Sequence, residues 1–129
     1  MVKFRELTTS SGNLVLAGKS AENNEKLIEQ VGSEEIVLHT KAPGSPFVNI
    51  KARTNGPRTP ITKKDIKEAA VFCARYSQDW RNNKNDVIVH YFLGKDVYKN
   101  KAMKLGTFGV RKAKEIKVKK EDIKKFNKN

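Results

Sequence analysis

The chain has 129 residues, 37% of them hydrophobic and 32% charged, a composition typical of one compact soluble domain. Its 27 Lys and Arg against 14 Asp and Glu give a net charge of +13, which indicates a polyanionic partner. Nucleic acid is favoured as this partner over a membrane surface or an acidic protein. The sequence has no apolar run long enough to span a membrane, no signal-peptide pattern and one cysteine, Cys73, so we expect a single domain, residues 1–129, in the reducing cytoplasm.

The N-terminal half predicts a hairpin, a helix and two further strands. Ser20 is a suitable N-cap for a helix that we expect to run to about Val31 and to end at Gly32 in the left-handed conformation. Asn24 would lie on the inward face of this helix, where its amide needs hydrogen-bond partners. Strands are predicted over residues 4–9, 14–18, 36–39 and 47–51, and a longer polar loop over residues 55–60.

The C-terminal half predicts one main helix and a mainly antiparallel arrangement of strands. Thr62 and Asp65 form a capping-box pattern at the start of this helix, and its apolar spacing continues to Trp80. Strands are predicted over residues 86–93, 107–111 and 115–118, the last two as a pair, and a short helix over residues 121–126. The pattern favours an α+β fold, a mostly antiparallel sheet with two main helices packed on it and a short C-terminal helix.

Catalytic and metal-binding patterns are weak in this sequence. His39 and His90 lie in apolar strands, where a histidine is more often structural than catalytic, and Asp86 would be near 13 Å from His90 along an extended strand. Cys73 lies on the apolar stripe of the main helix, where it is expected to act as a small hydrophobic residue. No ligand spacing for a metal and no glycine-rich phosphate loop is present, so we expect no cofactor.

The clearest functional signal is the charge of the C-terminal third. Residues 95–125 hold twelve Lys and Arg against four acidic residues, although a solvated lysine-rich surface is the alternative explanation. Alternation in the last strand places Ile116 and Val118 on one face and the neighbouring lysines on the other. Tyr98 and Phe108 interleave with these charges, and we expect Phe108 to be in the core. The predicted RNA-binding residues of this region are Lys99, Lys101, Lys104, Arg111, Lys112, Lys117 and Lys119.

The connection between the third and fourth strands is unusual, because two prolines fix the backbone around Gly44 and Ser45. Gly44 permits a positive φ, and Ser45 offers an amide and a hydroxyl. With Lys41 nearby, this loop could present donors to a phosphate or carboxylate. It could equally be a tight connection, and the spacing leaves both interpretations open.

A resemblance to a known family extends over nearly the whole chain. It is carried by Gly-Lys-Ser-Ala-Glu-Asn-Asn-Glu at 18–25, Ile-Val-Leu-His at 36–39 and Pro-Gly-Ser-Pro-Phe-Val at 43–48. It is also carried by the segment 68–77 and by the segment 97–112, which ends in Gly-Thr-Phe-Gly-Val-Arg-Lys. These segments resemble the NFACT-R domain. Large relatives join this module to further domains, bind tRNA on the large ribosomal subunit and extend stalled nascent chains. The sequence resembles the stand-alone type.

The resemblance implies RNA binding, to tRNA or rRNA, and possible ribosome association. Because some single-domain relatives bind DNA, the type of nucleic acid is left open. The family's Asn-Glu pair falls here on Asn24 and Glu25, and its strand-terminal histidine falls on His39. The Gly-Ser of its following loop falls on Gly44 and Ser45. Many members have a second histidine where this chain has Pro46, which weakens the case for a two-histidine site.

We therefore expect a non-enzymatic RNA-binding domain linked to translation or ribosome-associated quality control. The sequence suggests that Asn24, His39, Gly44 and Ser45 meet at one edge of the sheet, beside the basic third. Two alternatives are an RNA-modifying enzyme that uses His39 and Glu25 as acid and base, and a ribosome-associated adaptor that contacts protein.

Overall fold

Eight strands and four helices form the described part of the chain, residues 2–51 and 60–126, in this computed structural model. The strands are β1 (Arg5–Thr8), β2 (Leu14–Ala17), β3 (Ile36–Thr40), β4 (Val48–Lys51), β5 (Val87–Leu93), β6 (Val97–Tyr98), β7 (Gly109–Val110) and β8 (Lys114–Val118). The helices are α1 (Ala21–Glu29), α2 (Lys63–Arg75), α3 (Gln78–Asn83) and α4 (Lys120–Lys125), with a 3-10 turn at Gly94–Asp96. The predicted α+β class is confirmed. Apart from Pro60, the loop predicted over 55–60 lies outside the described residues.

Six strands form one antiparallel sheet in the order β1-β2-β4-β3-β5-β8. The predicted β1–β2 hairpin is present, and β5 is an interior strand. The predicted pairing of the last two strands is wrong, because β7 pairs with β6 in a separate two-stranded sheet and β8 pairs with β5. The physical reason is packing: Val110 of β7 packs with Val97 beside α1, whereas Val118 of β8 joins the core under α2.

The two main helices pack on opposite faces of the six-stranded sheet. On one face, Phe72 of α2 joins a large cluster with Leu38 and Val89, and α4 adds Ile123. On the other face, Leu27 of α1 packs with sheet residues and with the small sheet in a second, smaller cluster. Successive strand side chains alternate between these faces, so β2, β3 and β5 each contribute to both clusters.

Helix ends differ from the sequence predictions at two places. α1 ends at Glu29, and Gly32 lies outside the left-handed region; its amide instead donates to the Glu35 carboxylate at 2.8 Å. The predicted main helix is two helices, because the Ser77 hydroxyl accepts from the amide of Trp80 and starts α3 there. A serine at an N-cap offers the backbone this alternative to a continuous helix. The predicted capping box at the start of α2 is confirmed.

Candidate nucleic-acid interface

A cleft of about 530 Å³ opens on the side of the sheet that carries α1, and we call it the α1 cleft. Its walls are the N-terminus of α1, the loop 43–46 and the loop 105–108 from the basic third. Asn24, His39, Gly44 and Ser45 all line it. The structure thus brings together the four residues that the sequence suggested would meet at one edge.

The α1 cleft is lined by cations without acidic side chains. Arg5, Lys19 and Arg81 line it, and none of the described lining residues is Asp or Glu. The Arg5 guanidinium lies 4.2 Å from the centre of the Tyr76 ring, and Arg81 Nη1 donates to the Tyr76 carbonyl at 3.3 Å. A concave surface lined by one sign of charge concentrates the field that attracts a polyanion. Sequence reasoning missed these residues, because they come from β1, the β2–α1 turn and α3.

Three aromatic rings form the floor of the cleft. The ring centres of His39 and Phe47 are 4.4 Å apart, and those of Phe47 and Phe108 are 5.4 Å apart in an edge-to-face arrangement. Phe47 is buried, whereas His39 and Phe108 are partly exposed. Phe108, which we expected in the core, packs on the smaller cluster and also lines the cleft.

Asn24 fixes one wall of the cleft. Its Oδ1 accepts a hydrogen bond from the backbone amide of Phe47 at 3.0 Å, which ties α1 to the start of β4. The fit is close, because a Cβ at Gly18 would lie 1.9 Å from the same oxygen. The expectation that this inward amide needs a partner is confirmed, and the partner is backbone.

Glu25 fixes the opposite wall. Its Oε2 accepts from Lys99 Nζ and from the Gly106 amide, both at 2.6 Å, and Lys99 also donates to the carbonyls of Lys104 and Thr107. The hydrogen bond from Lys99 lowers the pKa of Glu25 despite the opposing effect of burial, and the Gly106 amide adds to it. Glu25 and Lys99 therefore hold the loop 99–107 against α1, and neither lines the cleft.

The loop 43–46 is a tight connection in which the Gly44 carbonyl and the Ser45 hydroxyl form hydrogen bonds within the protein. Gly44 has a φ of 87°, in the positive range that glycine permits, and its carbonyl accepts from the Gln78 amide at 2.7 Å. The Ser45 hydroxyl accepts from the Thr40 amide at 3.1 Å and donates to the Pro46 carbonyl at 3.0 Å. The loop forms the tight connection that the sequence allowed, and its surface is also a wall of the cleft, so donation from this loop to a phosphate stays a prediction.

His39, His90 and Glu115 form a row across three strands. His39 pairs with His90 in register, and His90 pairs with Glu115, whose carboxylate lies 2.9 Å from His90 Nε2 and 3.6 Å from Lys41 Nζ. His39 Nδ1 donates to the Thr40 carbonyl at 2.7 Å, and burial lowers the pKa of His39. The ring is therefore neutral near pH 7. His90 also lines the cleft, and the pairing of β3 with β5 is the signal that would have found it.

The remaining predicted RNA-binding residues lie on the surface. Ile116 and Val118 face the core as predicted, and Lys117 points away from it toward the face that carries α1. Arg111 lies 4.9 Å from the Tyr98 ring centre. These remaining residues, which are all exposed, are Lys41, Lys101, Lys104, Arg111, Lys112, Lys117 and Lys119.

The other candidates have structural surroundings. Cys73 is fully buried, and burial raises the pKa of its thiol to about 12, as expected for a small hydrophobic residue rather than a nucleophile. Across residues 2–51 and 60–126, no three His, Cys, Asp or Glu side chains are grouped so that they could hold a metal. Within the same ranges, no helix is long and apolar enough to cross a membrane.

The sequence and the fold of this chain are similar to those of known proteins. The Archaeal Rqc2 homolog aRqcH of Methanocaldococcus jannaschii is 28% identical over 109 residues, which are 81% of this chain and 16% of that protein. The solved C-terminal part of the fibronectin/fibrinogen-binding protein from Streptococcus suis has the same fold, with a TM-score of 0.77 and 24% identity over 95% of this chain and 48% of that one. The NFACT protein RNA binding domain family matches residues 3–112, a range that includes every wall of the α1 cleft and stops before β8. This chain therefore belongs to the NFACT-R family of RNA-binding domains.

Proposed function

We propose that the chain binds RNA of the translation machinery, tRNA or rRNA, through the α1 cleft and the exposed cations of residues 95–125. The observation that carries this proposal is the composition of the cleft, which joins three cations and partly exposed aromatic rings without an acidic side chain among its described lining residues. Cations hold phosphates, and aromatic faces stack on bases, so the two together match RNA better than an acidic protein.

The family and its relative support the same proposal. The matching family is described as RNA binding, and the similar archaeal protein is named as an Rqc2 homolog. We infer that this chain acts in ribosome-associated quality control in the cytoplasm, as one domain formed by residues 1–129. Because the chain spans 16% of that relative, this activity is proposed here for the domain and its RNA contacts alone.

A binding role is favoured over acid–base catalysis by the surroundings of Glu25. An acid–base pair requires a carboxylate that reaches the substrate, yet Glu25 Oε2 already accepts two hydrogen bonds and Glu25 lies outside the lining of the cleft. His39 lines the cleft without a carboxylate among the other described lining residues. The geometry thus supplies a surface for recognition rather than a catalytic pair.

The salt dependence of binding tests the proposal. If about five phosphates are neutralised, the slope of log K against log salt should be about −3.5 on single-stranded RNA and steeper on duplex. The change Lys117→Ala with Lys119→Ala should weaken all RNAs alike and reduce the magnitude of the slope by about 1.4. The measurement is a fluorescence-anisotropy titration of tRNA and an unrelated RNA at four salt concentrations, with DNA of the same sequence in parallel.

The matched control is Lys63→Ala with Lys64→Ala. These two substitutions remove the same charge from exposed positions. Lys63 and Lys64 begin α2 on the opposite face of the sheet, about 20 Å along that helix from its Tyr76 end, which reaches the cleft. We expect this control to retain the wild-type slope. A wild-type slope near zero would contradict the electrostatic basis of the proposal, and equal losses in both double variants would contradict the assigned surface.

A further inference from the structure

The α1 cleft has the size of a small-ligand site. Its volume of about 530 Å³ lies within the range of about 300–1,000 Å³ that is typical for such sites, and it is too small for a base-paired segment of RNA. An RNA that enters it must present a part that is not base-paired.

Asn24 supplies a hydrogen-bond donor in this space. Its side-chain oxygen accepts from the Phe47 amide, which fixes the orientation of the side-chain amide group. The nitrogen of that group, Nδ2, donates to none of the described residues. The residue is 8% exposed, yet no buried side-chain nitrogen or oxygen of the described residues lacks a partner. Nδ2 therefore reaches solvent, and the cleft is the opening that Asn24 lines. An amide held in this way presents its N–H groups in a fixed direction, as base recognition requires.

Flat and apolar surfaces lie around this donor. The partly exposed rings of His39 and Phe108 flank the buried Phe47, and a neutral His39 ring suits stacking rather than phosphate pairing. Leu105, which is 60% exposed, forms part of the same lining. Base stacking on such surfaces contributes substantially to binding and tolerates sequence changes.

We infer that the α1 cleft holds one unpaired nucleotide of the bound RNA, with its base stacked on the His39–Phe108 floor and an acceptor on its edge bonded to Asn24 Nδ2. Arg5 and Lys19 lie in the walls, where they can pair with the phosphates on either side. The inference rests on the proposed RNA binding and adds to it a class of RNA structure: bulges, loops and single-stranded ends rather than uninterrupted duplex.

The test compares three RNAs of equal length and charge by anisotropy: a blunt duplex, the same duplex with one bulged nucleotide, and a single strand. For the wild-type protein, we expect the bulged and single-stranded RNAs to bind at least 10-fold more tightly than the blunt duplex. In Asn24→Asp, whose carboxylate can still accept from the Phe47 amide but lacks the donor, this preference should fall to less than 3-fold. Neighbouring Asn23→Asp is the matched control, since it adds the same charge on α1 outside the cleft lining, and it should keep the preference.

A second variant and a spectroscopic signal guard against misfolding. Leu105→Ser changes an exposed side chain and should reduce the preference without changing the melting temperature. Fluorescence of 2-aminopurine at the bulge should change on binding to the wild-type protein and not to Asn24→Asp. Equal binding of all three RNAs with a normal salt slope would overturn the inference and leave the proposed function standing, as would equal losses in the two Asn variants. Absence of binding to every RNA would overturn both.

Discussion

The two faces of the sheet show how one set of strands serves two purposes. Under α2 and α4 the face is closed, with Phe72, Cys73 and Leu38 fully buried. On the other face α1 covers the side toward β2, and the row from His39 to Glu115 ends in solvent-exposed side chains on β8. Stability should therefore depend mainly on the first face and RNA selectivity on the second, and substitutions on each face test that division.

The largest expected effect is on the α2 face. Phe72→Ala should reduce the free energy of unfolding by about 3–5 kcal/mol, because a large, fully buried side chain leaves a cavity. The measurement is urea unfolding at low temperature, together with RNA affinity of the folded fraction, which should not change. Leu105→Ala is the counterpart in the cleft: it should change stability by less than about 0.5 kcal/mol while weakening RNA binding. An altered RNA affinity in folded Phe72→Ala protein would break the division between the faces.

An intermediate effect is expected in the loop 43–46, which connects β3 with β4. Gly44→Val should reduce stability by about 1–3 kcal/mol, since its φ of 87° strains a β-branched residue and a Cβ would lie 2.6 Å from Gln78 Oε1. It should also lower RNA affinity, because the loop is a wall of the cleft. Gly12→Val, with a φ of 92° in the β1–β2 turn, should lose stability and bind RNA normally. If Gly44→Val melts and binds like the wild type, the loop is an ordinary connection.

The smallest effect is the acid sensitivity of the α2 face. Burial would raise the pKa of Asp65, but hydrogen bonds from Ser11, Thr62 and Thr9 outweigh it and lower this pKa from 3.8 to about 2. Because the unfolded carboxyl binds its proton more readily, the stabilisation is complete above about pH 4 and is lost as the pH falls toward 2. We expect a loss on the order of 1–2 kcal/mol in urea unfolding at pH 5, 4 and 2.5. Glu6→Gln, which removes an exposed carboxylate that forms no ion pair with the described residues, should leave this acid loss unchanged; a flat wild-type profile would contradict the assignment to Asp65.

Local patterns in the sequence predicted the fold well. The β1–β2 hairpin and the Thr62–Asp65 capping box depend on residues within a few positions of each other, so a single sequence contains the whole signal. The break at Ser77 was missed, because an apolar spacing that continues to Trp80 fits one helix as well as two. The pairing of β8 with β5 depends on burial of Val118 beneath α2, which periodicity alone does not show.

The cleft could be predicted in part. The inward position of Asn24 followed from helical spacing and is confirmed, and the positive φ of Gly44 is one that glycine chemistry allowed without requiring it. The role of Glu25 as a clamp could not be predicted, because its partners Lys99 and Gly106 lie 74 and 81 residues away in the sequence. Contacts of that range depend on how the small sheet docks beside α1, and the surrounding residue types carry no signal for it.

Asn24 and Glu25 are consecutive residues that hold opposite walls of the α1 cleft. The shape of the cleft therefore depends on the rotation of α1 about its own axis. Neighbouring positions on an α-helix point about 100° apart, so one rotation of α1 about its axis would release both walls together. Gly18 leaves no room for such a rotation, because a Cβ there would already overlap the Asn24 side chain. A one-residue insertion between Gly18 and Asn24 would turn both side chains away from their partners. The geometry of the cleft therefore fixes the length of the connection before α1. Loops that do not line the cleft are under no such constraint from it.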